Sequence, residues 1–231
     1  MNQRKMKIIS IIPVRGGSKE ILNKNLVPLN EKPLLYYTVS ASKNSKLIDR
    51  TIVSTDNEKI MNLAKKHGAE VIKRPKKLSD DKAQLELVME HVIKVLKRNK
   101  NYFPDILVLL QNTSPLRTAT HIDEALDFFF TKKYDSLLSG FKSHRFFWKM
   151  KADRVFPFNY NPKKRSRRQE ISNQFIENGA IYITKLSSFK KSKCRISGKI
   201  GLYVMPEEIS IEIDSKFELS LANLILKNQK R

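Results

Sequence analysis

The sequence predicts an α/β fold built on a mainly parallel sheet, and three observations carry that prediction. Residues 7–26, KIISIIPVRGGSKEILNKNL, open as an apolar run without the polar alternation of a half-exposed strand and then break into a glycine turn, the pattern of a strand buried on both faces. The first 73 residues read strand, helix, strand, helix, strand, the order that a parallel α/β sheet produces. A second unbroken apolar run, DILVLL at 105–110, ends in QNTSPLR and belongs centrally in the same sheet.

The elements follow in order. After the opening loop, Pro28 and the residues LNEKP make a turn, and Pro33 suits the first position of a helix whose apolar residues are Leu34, Tyr37, Val39 and Ala41. A strand at 51–54 leads to Thr55 and Glu58, which have capping-box spacing, so a helix is expected from there to His67 with Gly68 as its stop. The third strand is 69–73. Leu85, Val88, Val92, Val95 and Leu96 recur at helical spacing across 83–98. Beyond the strand at 105–110, Thr120 opens a helix with Ile122, Ala125, Leu126 and Phe129 on one face, and 135–140 reads as a further strand. Residues 141–175 turn aromatic and basic with no clean period, which reads as a projecting lobe of short strands inserted in a single domain, 1–231. The segment 174–184 returns to the sheet, and 200–205 is a last strand. Ser215 and Glu218 repeat the capping-box spacing and open a terminal helix with Phe217, Leu221, Leu224 and Ile225 expected inward.

Length and composition set bounds. A chain of 231 residues with 40% hydrophobic content can bury one sizeable core. No apolar run approaches the ~20 residues needed to span a bilayer, and the basic, apolar start lacks a small-residue cleavage site, so a cytoplasmic location is expected. The lone Cys194 can form no internal disulfide, in keeping with a reducing compartment. The net charge of +22 would attract nucleic acid, an anionic surface or a polyanionic small substrate. Its lysines are scattered along the whole length, which disfavours a dedicated nucleic-acid module.

Ligands of open α/β sheets sit beyond the carboxyl ends of the strands, so Arg15, residues 55–57 and residues 111–117 should meet on one rim. The opening loop has no GKS or GKT at the distance a Walker A motif requires, and it lacks the third glycine of a dinucleotide fingerprint. Two glycines with Arg15, Lys19 and Lys24 still suit a triphosphate, whose leaving group must be neutralised, so phosphoryl or nucleotidyl transfer is the natural chemistry. Near the C-terminus, ISIEID alternates apolar and polar residues, which would put Glu212 and Asp214 on one side of a strand as hard oxygen ligands suited to Mg2+. The densest basic cluster is Lys163, Lys164, Arg165, Arg167 and Arg168. His67, His91, His121 and His144 are isolated from one another and from Cys194, so no zinc pattern exists, and no Ser or Cys/His context argues for covalent catalysis.

Taken together, seven segments in order resemble the acylneuraminate cytidylyltransferases, the CMP-sialic acid synthetases: PVRGGSKEILNKNL, IVSTDNEKI, KRPKKLSDD, QNTSPLR, NYNPKKRSRRQE, ENGAIYI and EIDSKFEL. The resemblance implies a three-layer, Rossmann-like nucleotidyltransferase fold with a mixed, mainly parallel sheet, in which the lobe at 141–175 makes a homodimer and lends residues to the neighbouring subunit's site. By carry-over, Arg15, Ser18, Lys19, Lys24 and Asn25 surround the triphosphate and nucleotide of CTP, Arg74 holds the cytidine end, and Gln111 lies near the sugar acid. Arg168 is the arginine of the active site, and Asp214 with Glu212 holds Mg2+. The implied reaction is attack of the anomeric hydroxyl on the α-phosphate of CTP with loss of pyrophosphate. Lys24 stabilises phosphate charge and Asp214 receives the proton.

Some positions depart from the family pattern. Glu20 stands where glycine commonly follows SK, Asn112 replaces a proline or alanine, and Lys82, Ala83 and Gln84 fill a stretch where serines are common. Glu212 stands in place of an aspartate. The substrate expected from the NYNPKKRSRRQ and FIENGAIYI segments is N-acetylneuraminate, with pseudaminate, legionaminate and other ulosonates as competitors. A basic nucleic-acid-binding protein on a decayed site is the remote alternative.

Overall fold

Strand β1 (Ile8–Pro13) owes its apolar character, broken only by Ser10, to its place inside the sheet: Ile8 and Ile12 face one layer of helices, and Ile9 and Ile11 face the other. The computed structural model describes residues 5–17, 21, 23–80, 83–171 and 173–228. After β1 come a short ladder of β2 (Pro28–Leu29) with β3 (Lys32–Pro33), then α1 (Leu34–Asn44), β4 (Arg50–Thr55), α2 (Glu58–Lys66) and β5 (Glu70–Lys73). The chain continues through α3 (Leu85–Lys100), β6 (Ile106–Leu109), α4 (Ala119–Thr131) and β7 (Ser136–Lys142). A hairpin of β8 (Trp148–Lys151) and β9 (Arg154–Pro157) precedes β10 (Phe175–Lys185), α5 (Leu186–Ser192), β11 (Ile200–Val204) and α6 (Lys216–Asn228).

Seven strands form the main sheet in the order β11-β7-β10-β6-β1-β4-β5. Every neighbouring pair is parallel except those of β10, which runs antiparallel to both β6 and β7. This is the mixed, mainly parallel sheet expected. Leu35 and Val39 of α1, Ile60 and Ala64 of α2, and Ile122 and Phe129 of α4 cover one face. Met89, Val92 and Leu96 of α3 and Leu186 and Phe189 of α5 cover the other, giving three layers. Because β1, β4, β5 and β6 are mutually parallel, their carboxyl ends open on one rim.

Three local expectations are corrected, and one short helix was not expected. The cap of α2 is Asn57, whose side chain accepts from the Ile60 amide at 3.2 Å; Thr55 stays in β4 and its hydroxyl accepts from Asn57 N at 3.2 Å. The cap of α4 is Thr118, paired with His121 in a reciprocal box, so Thr120 lies inside the helix. Helix α5, at 7 residues, is too short to display a period, although Leu186 and Phe189 are buried in it. In α6 the Ser215–Glu218 capping box is present, with Glu218 Oε2 accepting from Ser215 N at 2.7 Å, but the inward face is not the one expected. Leu219, Ala222 and Leu226 pack on Leu29, Leu34 and Ile213, while Phe217 is 75% and Leu224 56% exposed. Apolar residues at helical spacing occupy both sides of KFELSLANLIL, so periodicity alone does not choose between them.

Within the aromatic and basic stretch, β8 and β9 pair in a two-stranded sheet of their own, outside the main sheet. This hairpin is exposed along nearly its whole length, and Tyr160 packs against Phe146 and Trp148 while Arg165 lies 4.6 Å from the centre of the Phe146 ring. A two-stranded hairpin contributes little stability alone. Since Ile213 is wholly buried and Phe217 is exposed, Ile213→Ala is expected to cost about 2–5 kcal/mol. Phe217→Ser should stay within about 0.5 kcal/mol of the parent. Urea unfolding followed by far-UV circular dichroism measures both.

Candidate active site

The rim is assembled first by the backbone. Val14 N donates to Ser54 O at 2.9 Å as the chain leaves β1, and Gly16 N donates to Asp56 Oδ1 at 3.0 Å. Gly16 is therefore tied to the loop after β4, and its amide is spoken for rather than turned toward an incoming anion. A side chain there would meet Asn57, with a Cβ lying 2.8 Å from its Nδ2, whereas no described residue lies within 4 Å of the Cβ position of Gly17. Close approach thus explains the first glycine. Ser18 and Lys19, expected at the phosphates, and Glu20 lie outside the described residues.

Asn25 braces this loop from within. Its Nδ2 donates to Arg15 O at 2.9 Å, and its Oδ1 accepts from Asn112 Nδ2 at 2.8 Å. Both asparagines are buried, so Asn112 fixes the amide orientation of Asn25 and, through it, the turn at Arg15. Arg74 reaches the same rim from the end of β5, its N donating to Thr55 O at 2.8 Å. The guanidinium is buried, and its Nε and one terminal nitrogen have no hydrogen-bond partner among the described residues. Burial pushes the Arg74 pKa down, Asp56 opposes that shift and Arg15 adds to it. Buried donors left open at a ligand-binding rim call for an acceptor.

The other wall comes from the C-terminal quarter. Lys24 Nζ donates to Ile213 O at 2.9 Å and to Asp214 Oδ1 at 2.8 Å, clamping the opening loop onto residues 211–214. Those residues belong to no strand, which corrects the expectation that sheet alternation aligns Glu212 with Asp214. They are held instead by Ile213, which is buried and whose N donates to Thr113 O at 2.7 Å. Gly179 of β10 has φ +62°, and a Cβ there would fall 1.9 Å from Glu212 Oε1 and 2.1 Å from Gln111 Oε1. The side chains of Gln111 and Glu212 therefore meet over a glycine that no other residue could replace without displacing them.

Glu212 carries the strain of this arrangement. Burial raises the pKa of its carboxyl, Asp214, Glu177 and Glu218 raise it further, and Lys24 opposes them. The four acids line a hollow of about 760 Å³. No group of three or more His, Cys, Asp or Glu set to hold a metal ion occurs among the described residues. Two crowded carboxylates nevertheless fit Mg2+ in kind, because that ion characteristically takes one or two carboxylates and completes its shell with substrate phosphates and water. Arg168 is not brought to this hollow. It lies in the neighbouring one with Lys142, His144 and Ile171, and the two hollows share only Glu207 and Glu208.

The roles of Asp56, Asn112 and Arg117 were not legible from residue type. Arg117 is fully buried and donates to Gln111 O at 3.2 Å, Ala180 O at 2.8 Å and Thr38 Oγ1 at 2.8 Å. Burial pushes its pKa down to about 9. The available signal was an arginine closing an otherwise apolar turn, PLR, which a surface residue would satisfy equally.

Comparison with known proteins places the chain in a family. The family model described as cytidylyltransferase matches residues 9–228, and the chain belongs to that family. It is 32% identical over 236 residues to an N-acylneuraminate cytidylyltransferase of Escherichia coli O18:K1:H7, covering 97% of this chain and 53% of that protein. It is 29% identical over 227 residues to a pseudaminic acid cytidylyltransferase of Campylobacter jejuni, covering 96% of this chain and 97% of that one. The chain thus spans about half the length of the first relative and nearly all of the second. The solved structure of a CMP:2-keto-3-deoxy-manno-octonic acid synthetase with CTP superposes with a TM-score of 0.66 at 13% identity, covering 96% of this chain and 99% of that one, a likeness of fold.

Glu212 gives a prediction with a defined sign. Its folded pKa is raised, so the ionised form costs stability above that pKa and the cost disappears as pH falls. Glu212→Gln is expected to raise the melting temperature at neutral pH by about 2 °C or more, and the gain should shrink to nothing as the medium is acidified through the carboxylate range. Calorimetry across pH reads it.

Proposed function

We propose that this protein transfers CMP from CTP to the anomeric hydroxyl of N-acetylneuraminate, giving CMP-sialic acid and pyrophosphate. The observation that carries the reading is the convergence on one rim of Arg15, the open donors of Arg74 and the Lys24–Asp214 clamp, with Gln111 and Glu212 meeting beside them. Cationic groups in this position neutralise charge that develops on the departing phosphates.

In this reading Arg15, Ser18, Lys19 and Lys24 hold the triphosphate, and Arg74 offers its open donors to the cytidine end. Gln111 orients the sugar acid, so that its hydroxyl approaches the α-phosphate. The hydroxyl proton passes to Asp214 Oδ2, the oxygen other than the one Lys24 holds. Glu212 and Asp214 would hold Mg2+, which supplies Lewis-acid neutralisation of the phosphates when bound. Arg168 stands in the neighbouring hollow, and the lobe at 141–175 exposes Trp148, Met150, Phe156 and Phe158. Both features support a homodimer in which the lobe delivers Arg168 to the partner's site. No helix among the described residues is long and apolar enough to cross a membrane, in keeping with a proposed cytoplasmic location.

The near full-length match to the pseudaminic acid enzyme favours pseudaminate as the second reading. Pyrophosphate release from CTP and Mg2+ is therefore to be compared across N-acetylneuraminate, pseudaminate, legionaminate and an eight-carbon ulosonate. The highest kcat/KM is expected with N-acetylneuraminate, and Lys24→Ala and Asp214→Ala should each lower kcat by about a hundredfold or more without unfolding the protein. Folded protein releasing pyrophosphate with none of these acids would refute the assignment.

A further inference from the structure

We infer that Asn178 is a positioning residue for the reaction: its buried amide sets the segment bearing Glu212 and Asp214 against Gln111. The inference rests on the functional reading above and adds to it a residue that touches neither CTP nor the sugar acid in that reading.

Asn178 lies where β10 breaks its pairing with β7, between Glu177 and Tyr182, and it is 1% exposed. The break turns the chain at Gly179 and makes the floor on which Gln111 and Glu212 meet. Five polar links converge on Asn178, one of them donated by its Nδ2 to Met205 Sδ at 3.4 Å. Its Oδ1 accepts from Ser139 Oγ of β7 at 2.6 Å and from Ala180 N at 3.2 Å. Its Nδ2 donates to Ser210 Oγ at 2.9 Å, and its backbone carbonyl accepts from Ser114 Oγ, within QNTSPLR, at 3.1 Å. Ser210 in turn donates to Pro206 O at 2.7 Å.

Residues 211–214 have no ladder to hold them. Apart from the Ile213 amide on Thr113, the Lys24 clamp and the Asp214 amide on Glu218 Oε2, their register is set by where the preceding turn ends, and that turn ends on Ser210 bonded to Asn178. A buried amide whose oxygen and nitrogen are both engaged holds one orientation, since rotating it breaks several bonds at once. Losing the Ser210 bond leaves the sheet intact and frees the segment that carries the two carboxylates. The expected signature is slower chemistry with little change in nucleotide binding, since Arg15 and Arg74 lie on the opposite wall.

The test compares Ser210→Ala, which removes the acceptor, with Ser210→Thr, which keeps a hydroxyl, and with Asn178→Ala. Hydrogen exchange over 206–214 and the kcat and KM for CTP are measured on each. In Ser210→Ala, exchange over 206–214 should quicken at least tenfold while β1 and β6 stay protected. The kcat should fall at least tenfold with KM for CTP within twofold of the parent. Ser210→Thr should recover both, and Asn178→Ala/Ser210→Ala should be no slower than Asn178→Ala. Unchanged exchange in Ser210→Ala, faster exchange with unchanged kcat, or a threonine variant with parental exchange but low kcat would each overturn the inference. A parent protein that releases no pyrophosphate refutes the functional reading instead, and the exchange contrast still decides whether the Asn178–Ser210 bond holds the segment.

Discussion

The rim depends most on a single buried cation. Arg117 donates to the carbonyls of Gln111 and Ala180 and to the hydroxyl of Thr38, which joins the loop after β6, the turn in β10 and helix α1. Removing an arginine from such a place would take a donor from each of two carbonyls and a hydroxyl, at a cost of roughly 1–3 kcal/mol for each group left unsatisfied. Retaining it means keeping a charge away from water, as its lowered pKa records. The gain is stiffness where Gln111 must hold still, and a positive potential beneath a rim that already gathers Arg15 and Arg74. In a low-dielectric setting that potential acts over a longer range than an exposed lysine would, because little water screens it.

This places the chain's basic character in perspective. A net charge of +22 says little about where anions bind, since most lysines stand on solvated faces. The informative cations are the few that burial or hydrogen bonding fixes: Arg117, Arg74 and Lys24. Opposite them stand Glu177, Glu212, Asp214 and Glu218, and burial first, then the crowding of these acids, makes Glu212 resist ionising. A rim that gathers fixed cations thus faces a hollow rich in carboxylates.

Much of this was legible in the sequence wherever one physical cause dominated. Apolar runs at 8–12, broken only by Ser10, and at 106–110 read as interior strands, and the capping box at Ser215 is a local interaction that needs no knowledge of the rest of the chain. The inward face of α6 was misjudged because Leu219 and Leu224 look equivalent until the wall formed by Leu29, Leu34 and Ile213 exists. Reading Glu212 and Asp214 as strand neighbours failed for a related reason. Their alternation comes from burying Ile213, not from a ladder. Asn112 and Asn178 carried no sequence signal, because an amide that organises a site and one that caps a surface turn are the same residue until their partners are known.

The Lys24 clamp also bears on how the molecule is made. Its two bonds join residues 189 and 190 positions apart, and β1 can complete its own pairing only when β6 arrives, some hundred residues later. Contacts of such long sequence separation must wait for loop closure and slow the search for the native state. On the ribosome, the opening loop emerges long before the segment that steadies it. A nascent chain can therefore display much of the sheet while this rim is still in halves, and the two halves are joined only once residues 211–214 have emerged.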